Sequence, residues 1–227
     1  MAEPEEDPRF LPEPGSSGAD EDIAPMIAPD DDLLVHLVPL RRRHLRSVLR
    51  IESQVYPRPW SLPLFMSELN LRTSRVYVAA RVEGVIVGYA GIMLVGEEAH
   101  VTTIAVDPAW QRHKIGSRLM ARLVHATMAQ GARHLTLEVR MSNLGAQAMY
   151  RRFGFEPAGV RKNYYAETNE DALIMWAYDL NSPAATARLA ALEASIPGQT
   201  LDDASPTDAG GPAGGGLSGG GLSGGES

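Results

Sequence analysis

Between Thr103 and Leu119 the chain reads Thr-Ile-Ala-Val-Asp-Pro-Ala-Trp-Gln-Arg-His-Lys-Ile-Gly-Ser-Arg-Leu, an apolar strand joined to a helix through a basic turn. The strand run ends at Val106 and Asp107-Pro108 breaks it. Ile115, Leu119 and Leu123 then recur every fourth position, the spacing of a buried helical stripe. The first amides of such a helix have no partner inside it, and the helix dipole adds partial positive charge at that end. Arg112 and Lys114 add whole charges. The turn therefore suits an anion such as a pyrophosphate.

The flanking pattern supplies the rest of a domain. Leu33–Leu40 reads as a strand and Arg41–Val55 as a helix, broken by Tyr56-Pro-Arg-Pro-Trp60. Ser61 caps a second helix with Pro63 in its first turn. Arg75–Val82 and Val85–Val95 form a hairpin around Gly84, followed by a strand at Ala99–Val106. A helix from Lys114 to Gln130 ends at Gly131, a strand covers Arg133–Arg140, and Asn143 caps a short helix that closes near Phe153-Gly154. Strands near 155–162 and 172–180 complete the series. Short turns favour antiparallel neighbours, and the helical crossovers after Val106 and Val139 favour parallel ones. The expected α/β (α+β) fold is thus a single mixed, largely antiparallel sheet flanked by helices.

Residues 33–180 are expected to form that domain. Residues 1–32, rich in Asp, Glu, Pro, Gly and Ser, lack the apolar surface to offset the entropy of ordering. Residues 181–227 pass from an Ala-rich stretch able to form one helix into Gly-Gly-Gly-Leu-Ser repeats, and most of them are expected to be disordered. The formal charge of −7 is uneven. Residues 1–32 hold one Arg against eleven acids, whereas residues 33–180 hold 19 Lys and Arg against 12 Asp and Glu. That +7 balance suits an anionic partner, either nucleic acid or a phosphate-rich cofactor. The acidic segment could fold back over the basic face and compete with such a partner.

The absence of cysteine excludes disulfides, a thiol nucleophile and Cys-based zinc sites. The six histidines share no metal-ligand spacing, and neither a Walker A nor a G-x-G-x-x-G run occurs. No apolar stretch approaches the roughly 20 residues that span a bilayer, and the acidic start lacks the features of a signal peptide; a cytoplasmic protein without membrane contact is expected.

Glu138 alternates with Leu137 and Val139, which puts its carboxylate on the opposite strand face. A cross-strand ion pair with an Arg such as Arg140 is the structural alternative to a chemical role. Asn143 and Tyr150, about two helical turns apart, share one face with a rise of roughly 10 Å. Trp60, Tyr164 and Tyr165 fall where they could wall a peptide groove, although Trp60 could equally be core.

Ile104-Ala-Val-Asp-Pro, Gln111-Arg-x-x-Ile-Gly, Asn143 and Tyr150-Arg-Arg-Phe-Gly-Phe155 resemble the successive motifs of the GNAT acetyltransferases. Leu137-Glu-Val-Arg-x-Ser-Asn143, Arg161-Lys-Asn-Tyr-Tyr165 and Glu170-Asp-Ala-Leu-Ile-Met175 are similar to one branch, the RimI-type ribosomal-protein N-terminal alanine acetyltransferases. The resemblance implies acetyl-CoA as co-substrate and a protein N-terminus as acceptor, with no sequence-specific nucleic-acid contact. Ile104, Ala105 and Val106 would pair with pantetheine; Arg112, His113, Lys114, Ile115, Gly116 and Ser117 would bind pyrophosphate; Asn143 would contact the cofactor. Glu138 would act as general base through water, Tyr150 as the acid that protonates the leaving thiolate, and the Val106 amide as oxyanion donor. Lys114 departs from the pattern, which carries glycine there; its Cβ would crowd the cofactor or strain the turn if φ is positive. Direct transfer in a ternary complex is expected, with Glu138 or Glu170 near the peptide. Acetylation of internal lysines or small amines, and a non-catalytic acyl-CoA-binding module, are the alternatives on the same fold.

Overall fold

The computed structural model describes residues 30–203. The acidic residues before 30 and the Gly-rich stretch after 203, expected above to be disordered, lie outside the described residues. The described residues form eight strands and five α-helices. In order they are β1 (Leu34–Pro39), α1 (Leu45–Val55), α2 (Leu62–Asn70), β2 (Arg75–Val82), β3 (Val85–Val95), β4 (Glu98–Val106), α3 (Ile115–Ala129), β5 (His134–Arg140), α4 (Leu144–Arg152), β6 (Glu156–Tyr165), β7 (Glu170–Ala177), α5 (Pro183–Ala194) and β8 (Gln199–Asp202). All eight strands join one sheet in the order β6-β7-β5-β4-β3-β2-β1-β8. Only β4–β5 and β1–β8 are parallel, so the sheet is mixed and largely antiparallel.

Alternation along the strands builds two cores. On β2, Val78 and Ala80 face a core shared with Leu119, Leu123 and Tyr150, while Tyr77 and Ala79 face one shared with Val48, Ile51 and Phe65. Thus α3, α4 and α5 cover one face and α1 and α2 the other. The caps are local and follow from residue type: Ser61 Oγ accepts from Leu64 N, Asn143 Oδ1 accepts from Ala146 N, and Gly131 takes φ 82° beyond α3.

Two expectations change. The crossover after Val139 does leave β6 running in the direction of β5, but β7 lies between them, because β7 pairs antiparallel with both. The ordered domain also continues past residue 180. Leu189 of α5 is buried in the α3 core, and β8 adds to the sheet beside β1, with Gln199 N donating to Leu33 O at 2.8 Å and Asp203 N to Leu37 O at 2.8 Å. Buried Arg118 of α3 donates to Thr200 Oγ1 and to the Pro197 carbonyl. A four-residue strand carrying one large apolar side chain gives little alternation to detect, which is why the composition there looked like linker.

Candidate active site

The parallel pair β4–β5 stays in register only from Glu98↔His134 to His100↔Thr136. Beyond it β4 runs on to Val106 and β5 to Arg140 without pairing, so the two strands part and leave facing edges. Thr102 is the extra residue of a bulge against β3, where Gly91 pairs with Thr103 and Ile92 with Val101. The gap is a cleft of about 570 Å³. Trp60, Ile104, Glu138, Asn143, Tyr150, Tyr164 and Tyr165, all singled out from the sequence, line it together.

The backbone of β4 decides which groups face the cleft. Asp107 N donates to Val87 O at 2.9 Å, on the β3 side. Amides alternate along a strand, so those of Ile104 and Val106 face the cleft while that of Ala105 faces β3. Ala105 is therefore a core and ladder residue, not a cleft residue as its motif suggested. The Ile104 carbonyl accepts from Tyr56 Oη at 2.8 Å, a contact the sequence reading missed because Tyr56 looked only like a helix breaker.

Glu138 projects from β5 with its side chain 7% exposed. Its Oε2 lies 2.5 Å from His100 Nε2 across the parting strands, and its Oε1 lies 3.3 Å from Arg161 Nη2. The hydrogen bond from His100 outweighs burial and, with the Arg161 charge, holds the carboxyl below its ordinary pKa, so it is ionised at neutral pH. Arg140 is not its partner: that guanidinium pairs with Glu167 at 2.6 Å and Glu170 at 3.0 Å and lies 3.9 Å from the centre of the Tyr165 ring. Glu170 also accepts from Ser142 N at 2.8 Å, which fixes it to the loop before α4 and not to the cleft wall.

Tyr150, 5% exposed, packs on Phe155 with ring centroids 5.8 Å apart. Burial, then the neighbouring Tyr56 and Tyr165, push its phenol well above the usual range, so it stays protonated. Trp60 takes both roles weighed above, packing on Phe65 at 5.3 Å while lining the cleft. Its backbone amide donates at 2.9 Å to Glu52, a carboxyl 1% exposed that also accepts from Tyr89 Oη. Burial raises the pKa of Glu52. It reads in the sequence as one polar position in a helical stripe, and nothing there marks it as a cleft residue.

The basic turn adjoins the cleft from the α3 side. A Cβ added to Gly116 would lie 3.4 Å from Met149 Sδ and 3.8 Å from Val106 Cγ2, so the start of α3 sits between the end of β4 and the residue preceding Tyr150. Arg112 and Lys114 both adopt the left-handed region, at φ 74° and 58°. The glycine that Lys114 replaces would take this conformation without strain. His113 Nδ1 is held by Asp30 Oδ1 at 2.6 Å, and the Ile115 side chain is buried. Ile115 can thus offer a ligand only its backbone, and the His113 ring is turned to Asp30. Asp107, buried, locks the turn to α1 through Arg50 Nη1 at 2.6 Å and caps it through Ala109 N at 3.0 Å.

Residues 45–155 match the family model described as Acetyltransferase (GNAT) family. The chain is 36% identical over 138 residues to the [ribosomal protein bS18]-alanine N-acetyltransferase of Escherichia coli K12, covering 60% of this chain and 92% of that protein. It is 39% identical over 142 residues to the N-alpha-acetyltransferase RimI of Mycobacterium tuberculosis, covering 60% and 87%. The crystal structure of the ribosomal-protein-S18-alanine N-acetyltransferase from Escherichia coli superposes with a TM-score of 0.59 at 33% identity, over 64% of this chain and 94% of that one.

Proposed function

Since the chain belongs to the GNAT family of acetyltransferases, we propose that it transfers acetyl from acetyl-CoA to the α-amine of an N-terminal alanine on a small-subunit ribosomal protein. The observation that carries this reading is the pairing in one cleft of an ionised carboxylate, Glu138, with a protonated phenol, Tyr150, for which the described residues supply no hydrogen-bond partner.

The residues fit acetyl-CoA in three respects. A helix start flanked by Arg112 and Lys114 suits a diphosphate, the free edge of β4 suits an amide-bearing arm, and the cleft volume suits the thioester end. When bound, acetyl-CoA supplies an activated acetyl group that the amine can take directly. With no cysteine in the chain, no thiol is available to carry it in between. The Val106 amide would stabilise developing negative charge on the carbonyl oxygen. Tyr150 holds a proton it can give to the departing sulfur.

Glu138, pressed below the ordinary carboxylate range, is a weak base in the Brønsted sense. An α-ammonium with pKa about 7.7–8.0 needs only modest help to lose its proton, and an ionised carboxylate attracts and orients it. Tyr164, Tyr165 and Trp60 would then flank the acceptor peptide.

Incubating the protein and acetyl-CoA with an alanine-started peptide that also contains a lysine, free or blocked at its α-amine, tests this reading. Mass spectrometry is expected to place the acetyl group on the free α-amine and none on the blocked peptide. Acetyl on lysine alone would transfer the assignment to internal amines. No transfer despite coenzyme A binding would leave an acyl-CoA-binding module.

A further inference from the structure

A second cavity of about 570 Å³ lies between the turn after β1, the end of α2 and the start of β2. Five arginines line it: Arg41, Arg42, Arg43, Arg72 and Arg75. Glu68 is its single acid, and that carboxylate is already engaged, accepting from Arg75 Nε at 2.7 Å and from Tyr77 Oη at 2.8 Å. Arg41, Arg42, Arg43 and Arg72 are exposed and have no carboxylate partner among the described residues. Arg42 donates to Asn70 Oδ1 at 3.0 Å, and Arg43 to His44 Nε2 at 3.1 Å. Four like charges crowded without counter-charge repel one another, so an anion that enters is stabilised by all of them.

The backbone under these residues is fixed. Leu40 N donates to Tyr77 O at 2.9 Å, and His44 N to Arg41 O at 2.8 Å. The field of the arginines is felt locally: burial, then Arg43, Arg81 and Arg41, lowers the pKa of His44 below its ordinary value. The groove and the cleft share a wall, since Tyr77 lines the first, Thr102 lines the second, and their hydroxyls lie 3.2 Å apart.

We propose that this groove docks the phosphodiester backbone of RNA beside the acetylation cleft. Guanidinium forks match phosphate oxygens in pairs, and successive phosphates supply the several charges the groove can take. Tyr77, the one aromatic side chain lining the groove, is buried, so bases have no stacking platform and the contact is independent of sequence. The chain's own acidic segment is a poorer occupant. Its carboxylates are scattered among Pro, Gly and Ser and each carries one charge, whereas RNA presents a phosphate at every nucleotide to the clustered guanidinium forks. The choice of RNA over DNA rests on the ribosomal-protein reading above.

The test is fluorescence anisotropy of the full chain with a fluorescein-labelled RNA duplex over a range of salt. Binding should weaken linearly in log K against log salt. The variant Arg41→Gln/Arg42→Gln/Arg43→Gln/Arg72→Gln should lose more than about tenfold in affinity and about three units of that slope, at roughly 0.7–0.9 per phosphate contact. Its acetylation of a free alanine-started peptide should be unchanged. Changing Arg151 and Arg152 to Gln, on exposed positions of α4, should leave RNA binding unaltered. The proposal fails if wild type does not bind, if the quadruple variant binds equally well, or if the control pair loses as much. It fails also if poly-glutamate displaces RNA charge for charge, which would assign the groove to an acidic protein surface. Anisotropy reads binding and not turnover, so a failure of acetylation leaves this result standing.

Discussion

His100 is the residue whose placement most changes the chemistry expected of Glu138. It sits at the last paired position before β4 and β5 part, and its ring, 29% exposed, bridges the gap to the carboxylate. Its hydrogen bond is the largest influence holding the Glu138 pKa down. On the proposed role of Glu138 as base, which works only when deprotonated, the acidic limb of the kcat/KM–pH profile should reflect this depressed value. His100→Ala should let the carboxyl return toward its ordinary range and move that limb to higher pH, with Arg161 limiting the shift. A limb unmoved in a pH–rate series would separate Glu138 from the titration. The sequence revealed Glu138 through alternation on its strand, and Asn143 and Tyr150 through their shared helical face. It could not reveal His100 or Glu52, because their significance comes from partners 38 and 37 residues away. Ala105 went the other way: its motif marked it for the cofactor, and strand alternation turns its amide to β3.

At the level of elements, the turn into α3 departs from local backbone preference at Arg112 and Lys114. Two non-glycine residues in the left-handed region cost about 1–2 kcal/mol each. Lys114→Gly removes one such cost while adding about 0.5–1 kcal/mol of chain entropy lost on folding. Denaturant unfolding should show a variant as stable as wild type or more stable, by up to about 1.5 kcal/mol. A loss of stability would mean that Lys114 makes a contact worth more than the strain.

The C-terminal pair α5–β8 gives a second test at this scale. Gly198 has φ +76°, and a Cβ there would collide with the backbone oxygens of Leu33 and Asp30. Gly198→Ala should cost about 2 kcal/mol or more and loosen β8 from β1. Amide hydrogen exchange in β8 and at Asp203 reads this directly, and unchanged protection would contradict it. Most helix and strand identities from β1 to β7 were legible because the elements carry several apolar residues; β6, exposed along nearly its whole length, follows instead from Gly154 ending the helix before it. β8 was not, since its place is set by hydrogen bonds to β1 and by Arg118, neither of which leaves a period in the sequence.

Across the whole molecule, charge and topology divide the work. The sheet parts once, between β4 and β5, and the family motifs converge there: the basic turn from one side, the tyrosines and Trp60 from the other. The positive balance of residues 33–180 was legible by counting, but its concentration between β1 and α2 was not, because residues that meet there come from three separate elements. Among the described residues no helix is long and apolar enough to cross a membrane.

The account depends on Glu138 and Tyr150 acting on opposite sides of one reacting centre. Single-turnover acetyl transfer to an alanine-started peptide, at saturating acetyl-CoA, measures this for Glu138→Gln and Tyr150→Phe. Each variant is predicted to slow transfer by about 100-fold or more while binding acetyl-CoA within about twofold of wild type. Transfer at the wild-type rate in both variants would contradict the assignment of the cleft as the site of chemistry.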